Sequence, residues 1–237
     1  MEIVPKMKKH RLVVFVGTVG AGKSTQIKLL AFQLRNKGLK VKTAYIRTNH
    51  LFAHLLSLIL ARGFIKNRKS PRRAHVRALI EEKPAIFRSI FKLWLALDLF
   101  GTSLRFLLTV FLPTRMGYTV LVEDYVSATI FDHIYFSRVL NLPYKASSFV
   151  PRFLSRLIHV AGSTRWVFLD ANKDTLKSRL EKRGSFIEKT DYLQMQRNTV
   201  LFLSKTLSSY ELLYVDTTDQ NAMETCERVV GHLMEPR

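Results

Sequence analysis

A glycine-rich turn of eight residues constrains the fold of this chain more than any other feature. It runs from Gly17 to Ser24 (GTVGAGKS), fits the pattern GxxxxGK[ST] in full, and is followed by Thr25. An apolar run at 11–16 (RLVVFV) precedes it, and residues 24–36 follow with apolar side chains at helical spacing. A buried strand, a tight turn and a helix in this order form the context that a phosphate-binding loop requires.

Each residue type in the turn suits phosphate chemistry. Glycines let backbone N–H groups approach phosphate oxygens where a side chain would block them, and the helix that follows adds the positive end of its dipole. The Lys23 ammonium can reach the terminal phosphates of a nucleoside triphosphate, and the Ser24 hydroxyl can ligate Mg²⁺. We therefore predict that ATP and magnesium bind here. The predicted phosphate-binding residues are Gly17, Gly20, Ala21, Gly22, Lys23, Ser24 and Thr25.

Short apolar runs alternate with helical patterns from end to end. Strands are predicted at 11–16, 39–46, 118–122, 165–169 and 211–215. Five strands separated by helices favour a parallel sheet covered on both faces. The sequence therefore predicts one α/β domain over residues 1–237, with a three-layer fold and a five-stranded parallel sheet.

The charge balance predicts anionic partners. The chain has 38 Lys and Arg against 18 Asp and Glu, a formal net charge of +20. Nucleotides, nucleic acid and an acidic membrane surface are the classes of partner that fit. The single cysteine, Cys226, excludes an internal disulfide and a cysteine-based zinc site. With no signal peptide recognised, these features predict a cytoplasmic protein.

Two segments have more than one interpretation. Residues 62–92 carry ten basic residues against Glu81 and Glu82, which fits either a solvated insertion or an electrostatic funnel for an anionic substrate or nucleic acid. Residues 91–113 are the most apolar stretch, but Asp98 and Arg105 interrupt it. A membrane span has few or no charges, so we predict a buried helix there instead of a span, and a membrane surface is the less favoured partner.

Carboxylates and arginines mark the ends of predicted elements. Glu123 and Asp124 follow the strand at 118–122, at the edge where open α/β sheets bind ligands. One of them is predicted to hold the water of magnesium or to accept a proton from the acceptor, with Glu123 as the candidate metal residue and Asp124 as a candidate substrate-binding residue. The alternative is that one of the pair only caps the next helix. Arg179 and Arg183 share a helix face, either as complements of the helix dipole or at the entrance of a lid at 184–191 that brings Arg183 to the transferring phosphoryl group.

With these motifs together, the chain resembles the thymidylate kinase family of nucleoside-monophosphate kinases. The stretches VFVGTVGAGKSTQIKLLAFQLRNKGLKVKTAYIR, VFLDANKDTLKSRLEKRG, IEKTDYLQMQRNTVLFL and LLYVDTTD carry the resemblance. It implies a magnesium- and ATP-dependent phosphotransferase of nucleotide biosynthesis, often a homodimer. It also implies that Arg47 binds the acceptor's phosphate, that Arg179 and Arg183 lie at the lid, and that Asp216 and Thr217 lie in an adenine-contacting loop.

Four departures from the family pattern fall on the acceptor side. Val19 stands where the family has a carboxylate, and Glu123-Asp124-Tyr125 replaces its Asp-Arg-Tyr. The aromatic residue and the arginine with which the family reads its base fall near Leu99 and Ser103 of this chain. The tyrosine with which it excludes a ribose hydroxyl falls near Val200. The acceptor is therefore predicted to differ from dTMP, because a polar pocket that loses its partners loses its specificity. Asp98 either binds the acceptor or pairs with Arg105 inside the protein.

Two further functions are left open by the sequence. The net charge and the basic segment at 62–92 also fit a nucleic-acid-associated P-loop ATPase, for which the strand ending in Glu123 and Asp124 would supply the acidic group. The remaining alternative combines the net charge with the apolar stretch at 91–113: a kinase that works at an anionic membrane surface or on another anionic or lipid-like acceptor. The leading hypothesis is transfer of the γ-phosphoryl group of ATP to a nucleoside monophosphate, with Lys23, Glu123 and Arg183 as catalytic groups.

Overall fold

The computed structural model describes residues 11–65, 74–144, 149–160, 164–184, 190–208 and 212–234. The strands are β1 (Leu12–Gly17), β2 (Val41–Ile46), β3 (Thr119–Asp124), β4 (Thr164–Asp170) and β5 (Leu212–Asp216). The helices are α1 (Lys23–Asn36), α2 (Leu51–Phe64), α3 (Ala74–Glu82), α4 (Pro84–Arg115), α5 (Tyr125–Val139), α6 (Phe149–Val160), α7 (Lys173–Lys182), α8 (Thr190–Leu207) and α9 (Ala222–Met234). Helix α4 passes through a π-helical turn at Leu107–Phe111.

The five strands form one parallel sheet in the order β2-β3-β1-β4-β5. Strand β1 is central and every one of its residues is buried, as expected for a strand covered on both faces. The predicted α/β fold with a five-stranded parallel sheet is therefore confirmed. Because the strands are parallel, β1, β3 and β4 end at the same edge of the sheet, and the glycine-rich turn leaves β1 there.

Alternate residues of β1 pack into two different cores. Val14 and Val16 belong to the cluster that α5 and α8 cover, whereas Val13 and Phe15 belong to the cluster beneath α1 and α9. This is the period of two that a strand requires when both faces are covered. The two cores fix the three layers of the fold and hold the edge with the glycine-rich turn in place.

A third core lies beneath α2, α3 and α4. Trp94, Phe87 and Leu79 are among its fully buried members. Within 62–92, residues 66–73 lie outside the described residues. The described parts on either side are helical, with apolar side chains directed into this core and Arg62, Arg88 and Lys92 exposed.

Helix α4 is buried along one face only, which corrects the prediction of a buried helix. Trp94 and Asp98 face inward, whereas Leu93 and Phe100 are exposed. By length and composition the helix could cross a membrane, although a single helix of this kind is weak evidence for a span. Only 28% of its most apolar window is buried in the protein.

Candidate functional site

The glycine-rich turn has the backbone conformation that its sequence predicts. Gly17, Gly20 and Gly22 have φ angles of 133°, 92° and 97°, a region that residues other than glycine rarely adopt. Helix α1 begins at Lys23, immediately after the turn. The N–H groups of its first residues and the positive end of the helix dipole therefore lie next to the end of β1.

The Lys23 ammonium lies inside the turn and is almost fully buried. Its Nζ atom donates to the carbonyl oxygens of Gly17 at 3.1 Å and Thr18 at 2.9 Å, and lies 3.3 Å from Oδ1 of Asp124. These contacts fix a positive charge between the turn and the end of β3. A polyphosphate chain cradled by the turn would meet this charge directly.

Ser24 and Glu123 supply a hydroxyl and a carboxylate side by side. The Ser24 hydroxyl donates to Oε1 of Glu123 at 2.7 Å. Oxygen ligands of these two kinds suit Mg²⁺, which is held through one or two protein groups together with phosphate oxygens and water. In the described part of the chain no group of three His, Cys, Asp or Glu residues could hold a metal by itself. The pair therefore fits a metal that arrives with a nucleotide.

Asp124 lies between the two cations of the site. Its Oδ2 atom is 3.3 Å from Nη1 of Arg47, and its Oδ1 atom is the one that contacts Lys23. Its φ of 68° is unusual for a residue other than glycine, and such backbone strain is concentrated at functional sites. Asp124 occupies the N-cap position of α5 but makes no capping hydrogen bond with its side chain. The prediction that one of the two carboxylates caps the helix is therefore wrong for Asp124.

Arg47 lies at the end of β2 in a buried network. Its Nε and Nη2 atoms donate to the two oxygens of Asp132 at 2.8 and 3.0 Å, and Nη2 also donates to the Tyr192 hydroxyl at 2.9 Å. Burial alone would lower the pKa of Arg47. The charges of Asp132, Tyr192 and Asp124 raise it by more than burial lowers it, so the pKa lies well above its ordinary value. The guanidinium is therefore a fixed cation next to Asp124.

Replacing Asp132 with alanine is expected to destabilise the fold by about 3–5 kcal/mol, because the buried Arg47 loses its bidentate partner. Urea unfolding followed by circular dichroism measures the change. Asp219→Ala is the matched control, since Asp219 is exposed, and its effect is expected to stay within about 0.5 kcal/mol. A loss below about 1 kcal/mol for Asp132→Ala would show that Asp124 and Tyr192 are sufficient partners for the arginine.

Asp170, at the end of β4, is a site residue that the sequence analysis missed. Its Oδ1 atom accepts a hydrogen bond of 2.7 Å from Thr18, and Oδ2 accepts one from the Tyr214 hydroxyl at 2.8 Å and one from Arg197. Asp170 thus ties the glycine-rich turn to the neighbouring strands. A carboxylate directly after a predicted strand, as with Glu123, is the signal that could have identified it.

Helix α8 contributes side chains that no sequence motif indicates. The backbone N–H of Val19 donates to Oε1 of Gln196 at 3.3 Å, so this position of the turn is bound to α8 through its main chain. Gln196 is fully buried, and its Nε2 atom has no partner in the parts of the chain that the structure describes. Tyr192, one turn earlier, reaches Arg47. Helix α8 therefore forms one wall of the site.

The predicted adenine-contacting loop lies against Arg179, one of the two arginines predicted at the lid. Arg179 donates to the Thr217 hydroxyl at 2.9 Å and to the Thr217 carbonyl at 2.7 Å, and the Thr217 hydroxyl donates to the carbonyl of Ala21 at 3.2 Å. Burial, and next the charge of Arg183, lower the pKa of Arg179. Hydrogen bonds from Thr218 lower the pKa of Asp216. Arg183 is exposed at the end of α7, and residues 185–189 of the predicted lid lie outside the described residues.

Asp98 is paired inside the protein, but not with the predicted Arg105. It is fully buried, accepts from the backbone N–H of Asn49 at 2.5 Å and lies 2.8 Å from Nε2 of His133. The predicted pairing with Arg105 is wrong, because Arg105 donates to the carbonyl of Tyr45 at 2.7 Å. Both oxygens of Asp98 therefore have a partner within the protein, and its predicted contact with the acceptor stays a prediction.

Comparison with known proteins gives one partial likeness. No protein-family model matches the chain. Over 83 residues it is 41% identical to a thymidylate kinase from Desulfotalea psychrophila (strain LSv54 / DSM 12343), and the alignment covers 32% of this chain and 40% of that protein. The chain thus spans less than half of the length of the relative it matches. The likeness supports a kinase-like relationship and nucleotide binding.

Proposed function

We propose that the protein transfers the γ-phosphoryl group of ATP to a small anionic acceptor, most simply a nucleoside monophosphate. One observation carries the proposal: Lys23 and Arg47 lie on opposite sides of Asp124, each 3.3 Å from it. The first belongs to the phosphate-binding turn and the second to the end of a neighbouring strand. Two cations held this close suit the two phosphate groups that meet in a phosphoryl transfer.

The donor half of the proposal rests on the turn and its neighbours. The turn supplies backbone N–H groups, and Lys23 neutralises charge on the terminal phosphates. Ser24 and Glu123 would hold Mg²⁺, which when bound neutralises charge on the phosphate oxygens. Thr217 and Arg179 lie against the turn at Ala21, where they are able to form a wall for the adenine.

The acceptor half rests on Arg47. Within the described residues, four of its five N–H groups donate to Asp132, Tyr192 and Asp124, which orients the guanidinium and leaves one N–H on Nη1 for a phosphate oxygen. Positions near Leu99 and Ser103 offer no equivalent polar contact to a base, since the Ser103 hydroxyl donates to the Leu99 carbonyl within α4. We therefore propose an acceptor other than dTMP, with Arg183 completing the charge around the transferring group.

The test is a screen of the common ribonucleoside and deoxyribonucleoside monophosphates with ATP and Mg²⁺, read as ADP release in a coupled assay. At least one acceptor is expected to raise ADP release above the rate with ATP alone. Calorimetry with ATP and Mg²⁺ tests the donor site separately. Binding of ATP without any accepted monophosphate would remove the acceptor class from the proposal, and no binding of ATP would remove the proposal itself.

Replacing Ser24 with alanine is expected to raise the Mg²⁺ concentration needed for half-maximal turnover by at least about tenfold, because the metal loses its protein hydroxyl. A magnesium titration at saturating ATP measures the shift. Ser89→Ala, in an exposed position of α4, serves as the control and should titrate like the unmodified protein. An unchanged magnesium requirement in Ser24→Ala would exclude this hydroxyl as a ligand.

A further inference from the structure

The main chain between β2 and α2 is held by side chains of helix α4. This β2–α2 connection comprises residues 47–50 and begins with Arg47. Asp98 of α4 accepts a hydrogen bond of 2.5 Å from the backbone N–H of Asn49, and the Thr102 hydroxyl donates to the carbonyl of Arg47 at 3.4 Å. Two side chains of one helix therefore bind the backbone of the connection directly.

Gly101 lies between these two contacts and lets the β2–α2 connection approach α4 closely. A Cβ atom at this position would lie 2.9 Å from the carbonyl oxygen of His50, so a larger residue would displace that carbonyl. One helical turn further along α4, Arg105 donates to the carbonyl of Tyr45 at 2.7 Å. The four contacts come from positions 98, 101, 102 and 105, the spacing of one helix face. One side of α4 thus follows the backbone from the end of β2 to the start of α2.

The β2–α2 connection has an unusual backbone conformation. Asn49 and the adjoining Leu51 have φ angles of 66° and 47°, a region that residues other than glycine adopt at a cost in free energy. Such conformations persist only where the surrounding contacts fix them. The side chain of Asn49 adds two contacts, since its Oδ1 atom accepts from the Ser57 hydroxyl at 3.1 Å and its Nδ2 atom lies 3.3 Å from Nδ1 of His54. Without the hydrogen bond to Asp98, we expect the connection to relax.

Helix α5 holds Arg47 twice, once directly and once through Asp98. Asp132 of α5 binds the guanidinium of Arg47 through both of its carboxylate oxygens. The next residue, His133, lies with its Nε2 atom 2.8 Å from Oδ2 of Asp98, and both of these side chains are fully buried. Asp98 is thereby fixed between His133 and the N–H of Asn49. Adjacent residues of α5 thus fix the side chain of Arg47 and, through Asp98, the main chain two residues after it.

We propose that Asp98 and His133 are positioning residues for the phosphoryl acceptor. They keep the β2–α2 connection in its strained conformation and so fix the place at which Arg47 meets the acceptor's phosphate. The inference rests on the proposed function and deepens it. A displacement of about 1 Å by a distant change can cost about 10²-fold in rate. The pair should therefore govern the affinity for the acceptor and not that for ATP, because Asp170 holds the glycine-rich turn on the other side of β1 from β2.

The first experiment compares Asp98→Leu with Asp98→Asn in steady-state kinetics, with ATP, Mg²⁺ and the monophosphate that gives the highest ADP release in the screen. Leucine removes both hydrogen bonds of Asp98, so the KM for the monophosphate is expected to rise at least about tenfold, while the KM for ATP changes by less than about threefold. Asparagine can still accept from Asn49 and donate to His133. Asp98→Asn is therefore expected to restore most of the affinity for the monophosphate.

Gly101→Ala is the second variant, because it displaces the same connection without removing a hydrogen bond of Asp98. Its methyl group would push against the carbonyl of His50, so the KM for the monophosphate is expected to rise in the same way. Gly63→Ala is the matched control, since a Cβ atom at Gly63 in α2 would meet nothing within 4 Å. Leu79→Ala removes a fully buried side chain of the third core and controls for lost stability alone. Neither control should change either KM.

Hydrogen exchange followed by mass spectrometry tests the positioning without any substrate. Peptides that cover residues 47–53 are expected to exchange at least about tenfold faster in Asp98→Leu and Gly101→Ala, whereas peptides from β1 and the glycine-rich turn keep their rates. Unchanged exchange in both variants would overturn this inference whatever the screen finds. Faster exchange without any accepted monophosphate would overturn the proposed function, and with it the assignment of the pair to an acceptor.

Two kinetic results would also overturn the inference. One is a KM for the monophosphate that neither Asp98→Leu nor Gly101→Ala raises. The other is a rise of similar size in Leu79→Ala or in the KM for ATP, because the effect would then come from lost stability. Circular dichroism verifies folding, and Gly101→Ala, which adds one methyl group, keeps the test informative if Asp98→Leu does not fold.

Discussion

Alanine in place of Lys23 is expected to lower the rate of phosphoryl transfer by at least about 10³-fold and to leave the protein folded. The Nζ atom of Lys23 is the buried cation nearest to the turn, held by the carbonyls of Gly17 and Thr18. Without it, charge that develops on the transferring phosphates has no fixed counter-charge from the turn. Steady-state ADP release with the best acceptor from the screen measures the loss.

The fold is expected to survive this change because Asp124 keeps a cationic partner. Arg47 remains 3.3 Å from Oδ2 of Asp124 when Lys23 is removed. Lys28→Ala is the matched control, since Lys28 is an exposed lysine on the same helix, and its turnover should equal that of the unmodified protein. Turnover in Lys23→Ala within tenfold of normal, with a normal circular dichroism spectrum, would refute the proposed role of the turn.

The fold was predictable because its signals are local. Four strands of the sheet are short apolar runs and β2 alternates apolar with polar residues, and the structure places all five strands within two residues of the predicted bounds. The turn was equally predictable, since Gly17, Gly20 and Gly22 have the positive φ angles that their spacing implies. Side chains on the turn or directly after a strand, such as Ser24 and Glu123, could therefore be placed together in advance.

The remaining site residues depend on contacts between distant parts of the chain. Asp132 lies two helical turns after Asp124 and pairs with Arg47, which is 85 positions away in sequence. Tyr192 and Gln196 reach the site only because α8 packs against the sheet. No spacing pattern encodes such pairings, because they arise from how helices are laid on the sheet.

Helix α4 shows what composition cannot resolve. The apolar stretch at 91–113 was interpreted as buried because apolar side chains are usually withdrawn from water. Burial, however, depends on which side of the helix meets a neighbour, and α2 and α3 cover only the side that carries Trp94. Asp98 was misplaced for the same reason, since its partner His133 comes from another helix.

Alanine in place of Gly17 is expected to lower the free energy of unfolding by about 3 kcal/mol or more. A Cβ atom there would lie 1.9 Å from the carbonyl oxygen of Leu169, in addition to the strain of a φ of 133°. The Leu169 carbonyl cannot move away easily, because Leu169 is held between two strands. It is paired with Gly17 on β1 and with Val215 on β5. Urea unfolding followed by circular dichroism gives the difference.

Gly38→Ala separates the two causes. Gly38 also has a positive φ, 78°, but a Cβ atom there would meet nothing within 4 Å. Only the backbone strain applies, so a loss of about 1 kcal/mol is expected. A similar loss of unfolding free energy in both variants would show that position 17 requires glycine because of its backbone conformation and not because β4 approaches it closely. The larger loss expected for Gly17→Ala instead means that β4 positions the first residue of the turn, and with it the carbonyl that holds the Lys23 ammonium.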